Sequence, residues 1–213
     1  MIIYGNDMRY DQFQTIVKDL PLISGQYLKL ISVNTPTIKN QLVRWQKSGK
    51  LIKLKKGFYI LNEANRKINP SRLFVACELY KPSYISLEYA LSMYGIIPER
   101  VVDITCITSK KTTFLENIFG KFIYQQIKTA CFTGFTEQKD EAGLTYYMAA
   151  PEKAVVDFIY LNLSSFKKNY AEVLLESFRF QNLAILNRKE LTEYAELFEN
   201  KKLKEIIRIV KLS

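Results

Sequence analysis

Thr35-Pro-Thr-Ile-Lys-Asn-Gln-Leu-Val-Arg-Trp-Gln-Lys-Ser-Gly-Lys-Leu-Ile-Lys-Leu-Lys-Lys-Gly-Phe-Tyr-Ile-Leu61 is the stretch from which the fold reads outward. Thr35 can accept backbone N–H bonds as a helix N-cap, and Pro36 suits the first helical position, where its missing donor costs nothing. Ile38, Leu42 and Trp45 recur at i, i+4 and i+7 and predict a buried stripe. The opposite side is expected to present Thr37, Asn40, Gln41, Arg44 and Ser48, with Lys47 at its edge. Asn and Gln pair bidentately with adenine and Arg with guanine, so these residue types suit base edges in a DNA major groove. Gly49 is placed to end the helix, and Leu51–Leu54 and Phe58–Leu61 read as two strands around a Lys55-Lys56-Gly57 turn.

Upstream, Phe13, Ile16, Val17 and Leu20 predict an amphipathic helix stopped at Pro21. Tyr27, Leu28 and Ile31 predict a second helix opening near Ser24, followed by a brief turn through Val33-Asn34. Three helices and a hairpin with a basic tip describe a winged helix-turn-helix, whose third helix enters the major groove while Lys55 and Lys56 reach backbone phosphate. Charge points the same way. No acidic residue occurs from Leu20 to Asn62, a stretch holding Lys29, Lys39, Arg44, Lys47, Lys50, Lys53, Lys55 and Lys56, within a chain of net charge +10. Lysines also coat ordinary solvated surfaces, and winged helices also serve as protein-interaction modules, so both readings stand beside DNA binding.

Composition closes several routes. With no histidine, Ser/His/Asp and Cys/His nucleophiles, histidine general bases and His-containing zinc sites are all excluded. There is no phosphate-binding Gly-x-x-x-x-Gly-Lys loop and no Gly-x-Gly-x-x-Gly. Cys77, Cys106 and Cys131 form no CxxC pair and suit buried thiols in a reducing compartment. The expectation is a non-enzymatic protein with neither metal nor cofactor. The N-terminal residues lack a signal-peptide pattern and no stretch is long and apolar enough for a membrane span, so a cytoplasmic protein without a membrane partner is expected.

Residues 62–70 are polar and end in Pro70, which predicts a linker between a domain over 1–65 and a second over 70–213. The second domain reads as mixed α/β with a helical tail, making the whole chain α+β. Ser71 to Tyr80 is expected as helix. Ser86 is expected to cap a helix with the apolar face Leu87, Ala90, Leu91 and Tyr94, closed by Gly95. Val101–Thr108, with Val102, Ile104 and Cys106 on one face, is a strand candidate; so are Lys121–Ile127, Ala130–Phe135 and Leu144–Met148, the last two joined by the loop Glu137–Gly143. Pro151 opens a helix apolar almost all round, inside which Asp157 needs a partner that Lys153 can supply one turn earlier. A structural role for Asp157 is favoured over a catalytic one. Acid chemistry at Asp157 or Asp103 would need a second carboxylate or a metal, and no acidic cluster stands at recognisable spacing. In the tail, Tyr170, Val173 and Leu174 start one apolar face, and Asn187 with Glu190 resembles a capping box. Leu203, Ile206, Ile207 and Val210 form another face, on a helix that also carries Lys201, Lys202, Lys204, Arg208 and Lys211.

Three segments together resemble the AbiEi-type antitoxins, the DNA-binding members of bacterial type IV toxin–antitoxin and abortive-infection systems. They are Lys-Ser-Gly-Lys-Leu-Ile-Lys-Leu-Lys-Lys-Gly-Phe-Tyr (47–59), Tyr-Ile-Ser-Leu-Glu-Tyr-Ala-Leu-Ser-Met-Tyr-Gly (84–95) and Ala-Ala-Pro-Glu-Lys-Ala-Val-Val-Asp (149–157). Their order and spacing place the likeness over most of residues 10 to 165. The resemblance implies a transcriptional repressor that binds inverted repeats in its own operon and helps neutralise a nucleotidyltransferase-like toxin. The residues themselves show no sustained heptads to mark a strong dimer seam, so a monomer or weak dimer is expected. It assigns DNA contacts to Thr37, Asn40, Gln41, Arg44 and the lysines Lys53, Lys55 and Lys56. It makes Ser86–Gly95 and Pro151–Asp157 fold-defining. The alternative is a module that holds the toxin through the C-terminal domain without sequence-specific DNA binding.

Overall fold

The computed structural model describes residues 8–31 and 35–212, and the protein is mixed α+β. The expected turn at Val33-Asn34 and the capping roles of Thr35 and Pro36 lie outside what is described. The chain divides into two compact units, the first ending at Ser71 and also including 116–119 and 141–144, the second holding the rest.

In the first unit, α1 (Tyr10–Val17) leads to a two-residue strand β1 (Ile23–Ser24), then α2 (Gly25–Ile31) and α3 (Thr35–Lys47). Helix α1 stops well before Pro21, so Leu20 packs on the core from outside the helix rather than from its last turn. Ser24 Oγ accepts the Tyr27 backbone N–H at 3.1 Å and so caps α2. The core joins Phe13 and Val17 to Leu28, Ile31, Ile38, Leu42 and Trp45. Phe13 stacks on Trp45 at 4.5 Å, and Tyr10 meets the same indole edge-on at 5.6 Å. The hairpin β2 (Leu51–Lys55) and β3 (Phe58–Leu61) completes the unit, and β1 adds to it antiparallel, in the order β1-β3-β2. Residues 62–70, expected as a free linker, are tied back: Lys67 N–H donates to the Lys18 carbonyl at 3.1 Å, its ammonium pairs with Asp19, and the Gln14 amide donates to Asn65.

The second unit is built on a six-stranded sheet in the order β6-β7-β5-β4-β9-β8. Its chain order is α4 (Arg72–Leu79), β4 (Ser83–Ile85), α5 (Leu87–Met93), β5 (Ile104–Thr108), β6 (Thr113–Asn117), β7 (Gly120–Gln126), β8 (Phe135–Lys139), β9 (Thr145–Ala149) and α6 (Pro151–Leu161). After these come α7 (Tyr170–Glu172), continued by a π turn at Val173–Ser177, then α8 (Arg188–Leu197) and α9 (Lys201–Val210). The expected strand Val101–Thr108 begins only at Ile104, and Val102 is 63% exposed. Every residue of β5 is buried because helices cover both faces. The Thr105 hydroxyl accepts the Tyr89 N–H on the α5 side, whereas Tyr124, beside Cys106 across the pair, donates to the Ala76 carbonyl of α4 on the other. Of residues 130–135, expected as strand, only Phe135 is strand, and Ala130 and Cys131 lie in a 3-10 turn (Thr129–Cys131). Gly134 then takes φ +76° before β8. Part of the expected loop, Glu137–Lys139, is strand: an exposed polar edge strand carries no apolar alternation to reveal it.

Candidate nucleic-acid interface

Helix α3 has two chemically distinct sides. Ile38, Leu42 and Trp45 are buried as expected, while Lys39, Asn40, Val43, Arg44, Lys47 and Ser48 are exposed and Thr37 is half-buried. Gln41 departs from expectation. It is buried, and its amide donates to the Met8 carbonyl at 2.9 Å, so it is unavailable to a base. Its position explains this, since 38, 41, 42 and 45 form an i, i+3, i+4, i+7 set and Gln41 belongs to the core stripe. Lys39 and Val43 take its place on the outer side, a result that the same helical periodicity contains.

The end of α3 is closed by a complete Schellman motif. Gly49 at φ +69° donates to the Gln46 carbonyl, and Lys50 N–H reaches back to Trp45. This turn feeds β2 directly. At the hairpin tip Gly57 sits at φ +80°, and its carbonyl accepts the Gly25 N–H at 2.7 Å. A Cβ at Gly25 would already lie 3.4 Å from that oxygen, so the start of α2 and the tip are held in close register. Lys53 and Lys56 are exposed. Lys55 is half-buried, with its ammonium 4.7 Å from the centre of the Phe58 ring, and Lys50 lies 4.5 Å over Tyr10. Among the described residues, Lys29, Lys39, Arg44, Lys47, Lys50, Lys53 and Lys56 enter no ion pair, and all are exposed, with the Lys50 ammonium resting over Tyr10.

The residues named by the other two motif segments meet in the second unit. Asp157 and Lys153 are fully enclosed and paired within α6. Asp157 Oδ2 accepts the Tyr84 hydroxyl at 3.0 Å and the Ser86 hydroxyl at 2.9 Å, and Lys153 Nζ also donates to Tyr84 Oη at 2.9 Å. Burial raises the Asp157 pKa, and the adjoining ammonium and hydroxyls oppose that rise. Ser86 stands at the N-cap of α5 as expected, but its hydroxyl serves Asp157 instead of the helix N–H groups. Gly95 at φ +66° closes α5, with Ile96 N–H returning to Leu91, and Pro151 occupies the first turn of α6. Asp157, with both oxygens engaged and no exposed surface, is closed to a substrate. Asp103 is different: with Glu88 it lines an open cleft of about 430 Å³ bounded by Leu87, Thr105, Ile123 and Asn162. Cys77, Cys106 and Cys131 are buried free thiols, and no group of residues able to hold a metal ion occurs among those described. None of the described helices is long and apolar enough to cross a membrane.

The chain matches no protein-family model and no curated protein.

Proposed function

We propose that the first unit is a winged helix-turn-helix that binds double-stranded DNA, with α3 in the major groove and the β2–β3 hairpin as its wing. The observation that carries this reading is the outer side of α3. Asn40 and Arg44 stand exposed one turn apart, flanked by Lys39 and Lys47, within a segment without an acidic residue. Lys53 and Lys56 supply phosphate contacts from the wing. The likeness to AbiEi-type antitoxins sets the proposed biological role: a cytoplasmic repressor of its own operon, acting at inverted repeats and counteracting a nucleotidyltransferase-like toxin.

Titrating the protein against its own upstream DNA over a range of salt tests this. Neutralising about six phosphates gives a log K against log salt slope near −5. Affinity that ignores salt, or equal affinity for upstream and random duplex, refutes specific groove binding. Co-purification with the neighbouring gene product and no gel shift would favour the toxin-binding module.

A further inference from the structure

We propose that Val43 reads the C5-methyl group of a thymine, making it a specificity-determining residue of the DNA interface; this rests on the groove-binding reading of α3. Val43 is 49% exposed and lies three residues after Asn40, one before Arg44 and four before Lys47, in the middle of the outward face. Its exposed neighbours along the helix are Lys39, Asn40, Arg44, Lys47 and Ser48, so it is the one apolar side chain exposed among described residues 37–48. A single exposed valine is unremarkable on a solvated helix. On a groove-reading face its consequences differ. Docking α3 removes water from Val43 and from the base edge opposite it together. Against guanine, cytosine or adenine, the valine would strip water from donors and acceptors and return no hydrogen bond. Thymine alone presents an apolar group in the major groove, so only thymine makes the contact favourable. Valine is stiff at χ1, so little rotamer freedom is lost on docking. Local helix preference does not account for it either, since valine ranks below alanine, lysine or glutamine on an exposed helix.

The test uses the full chain. Its preferred duplex is selected from a randomised pool, and each thymine is then replaced in turn by deoxyuridine, which pairs identically but lacks the methyl. Burying one methyl group predicts about a fourfold loss of affinity at one thymine of each half-site. In Val43→Ser, exposed and therefore compatible with folding, the difference between the thymine and uracil duplexes should vanish. Uracil tolerated at every thymine, or a methyl preference that persists in Val43→Ser, overturns the assignment and leaves groove binding intact. A pool that yields no preferred sequence overturns the groove reading itself, and the Val43 assignment with it.

Discussion

Ser86 Oγ donates to Asp157 Oδ2 at 2.9 Å, joining residues that stand 71 positions apart in the chain. The bond links the N-cap of α5 to the centre of α6 through a carboxylate that also accepts from Tyr84 and pairs with Lys153. Four polar side chains thus satisfy one another inside an apolar layer. Such an arrangement tolerates joint replacement better than the loss of one member.

Asp157→Asn removes the negative charge and strands the Lys153 ammonium without exposure to water. We expect a loss of about 3–5 kcal/mol in urea denaturation. The joint replacement Lys153→Met with Asp157→Leu should recover a substantial part of it. A loss below about 1 kcal/mol for Asp157→Asn would mean that the pair does not persist in solution.

Gln41→Ala should cost about 1 kcal/mol of stability through the lost bond to the Met8 carbonyl. It should leave the preferred DNA sequence unchanged. An altered base preference in a selected pool would place Gln41 in the groove and contradict its burial.

Arg44→Ala is expected to weaken binding to the preferred duplex by about 1–3 kcal/mol while affecting random duplex much less. Lys56→Ala, at the exposed tip of the β2–β3 hairpin, should weaken every sequence alike and reduce the salt slope by about one. Lys55→Ala is a less clean comparison, because its ammonium rests over Phe58 and its removal also disturbs the tip. Equal losses on preferred and random duplex for Arg44→Ala would remove it from base reading.

Gly49 and Gly134 both occupy left-handed backbone, at φ +69° and +76°, but in different surroundings. A Cβ at Gly49 meets nothing within 4 Å, so Gly49→Ala should cost only the conformational penalty, about 1–2 kcal/mol. At Gly134 the added carbon would lie 2.7 Å from the Tyr194 ring and 2.9 Å from Lys153 Cγ. Overpacking there adds about 1–3 kcal/mol more. Thermal melts of the two variants compare them directly, and equal shifts would contradict the crowding.

The thiols should be silent in the folded protein. Burial pushes the Cys77 thiol up to about 11 and raises Cys106 and Cys131 as well. All three side chains are enclosed, so a thiol reagent at about pH 9 should label them only as fast as the protein opens. Rapid stoichiometric labelling of native protein would show that one of them is accessible.

Local patterns identified a large part of this molecule. The Ile38–Leu42–Trp45 stripe, the Gly49 stop, the β2–β3 hairpin, Pro151 at the start of α6 and the apolar face of α9 all rest on contacts within a few residues. Propensity and periodicity act at that range. The polar character of the outer α3 side, and the acid-free run around it, were equally legible. Side-chain direction along a helix follows from spacing alone. Gln41 shows the limit of reading polarity in place of position, because a glutamine inside the core stripe is buried when a distant carbonyl can receive its amide.

What only the tertiary structure decided depends on partners far apart in the chain. No local pattern marks strands β4 and β8, because β4 is short and buried throughout and β8 is almost wholly exposed, so neither alternates. The Asn187 cap was readable, yet its own N–H donates to Glu152 from α6 rather than to Glu190. Lys153 could be paired with Asp157 from the helical spacing of four, whereas Tyr84 and Ser86 arrive only through folding of the sheet. A one-dimensional pattern records which residues face the same way along one element. It does not record which element will lie opposite, and that determines whether a buried polar group is satisfied.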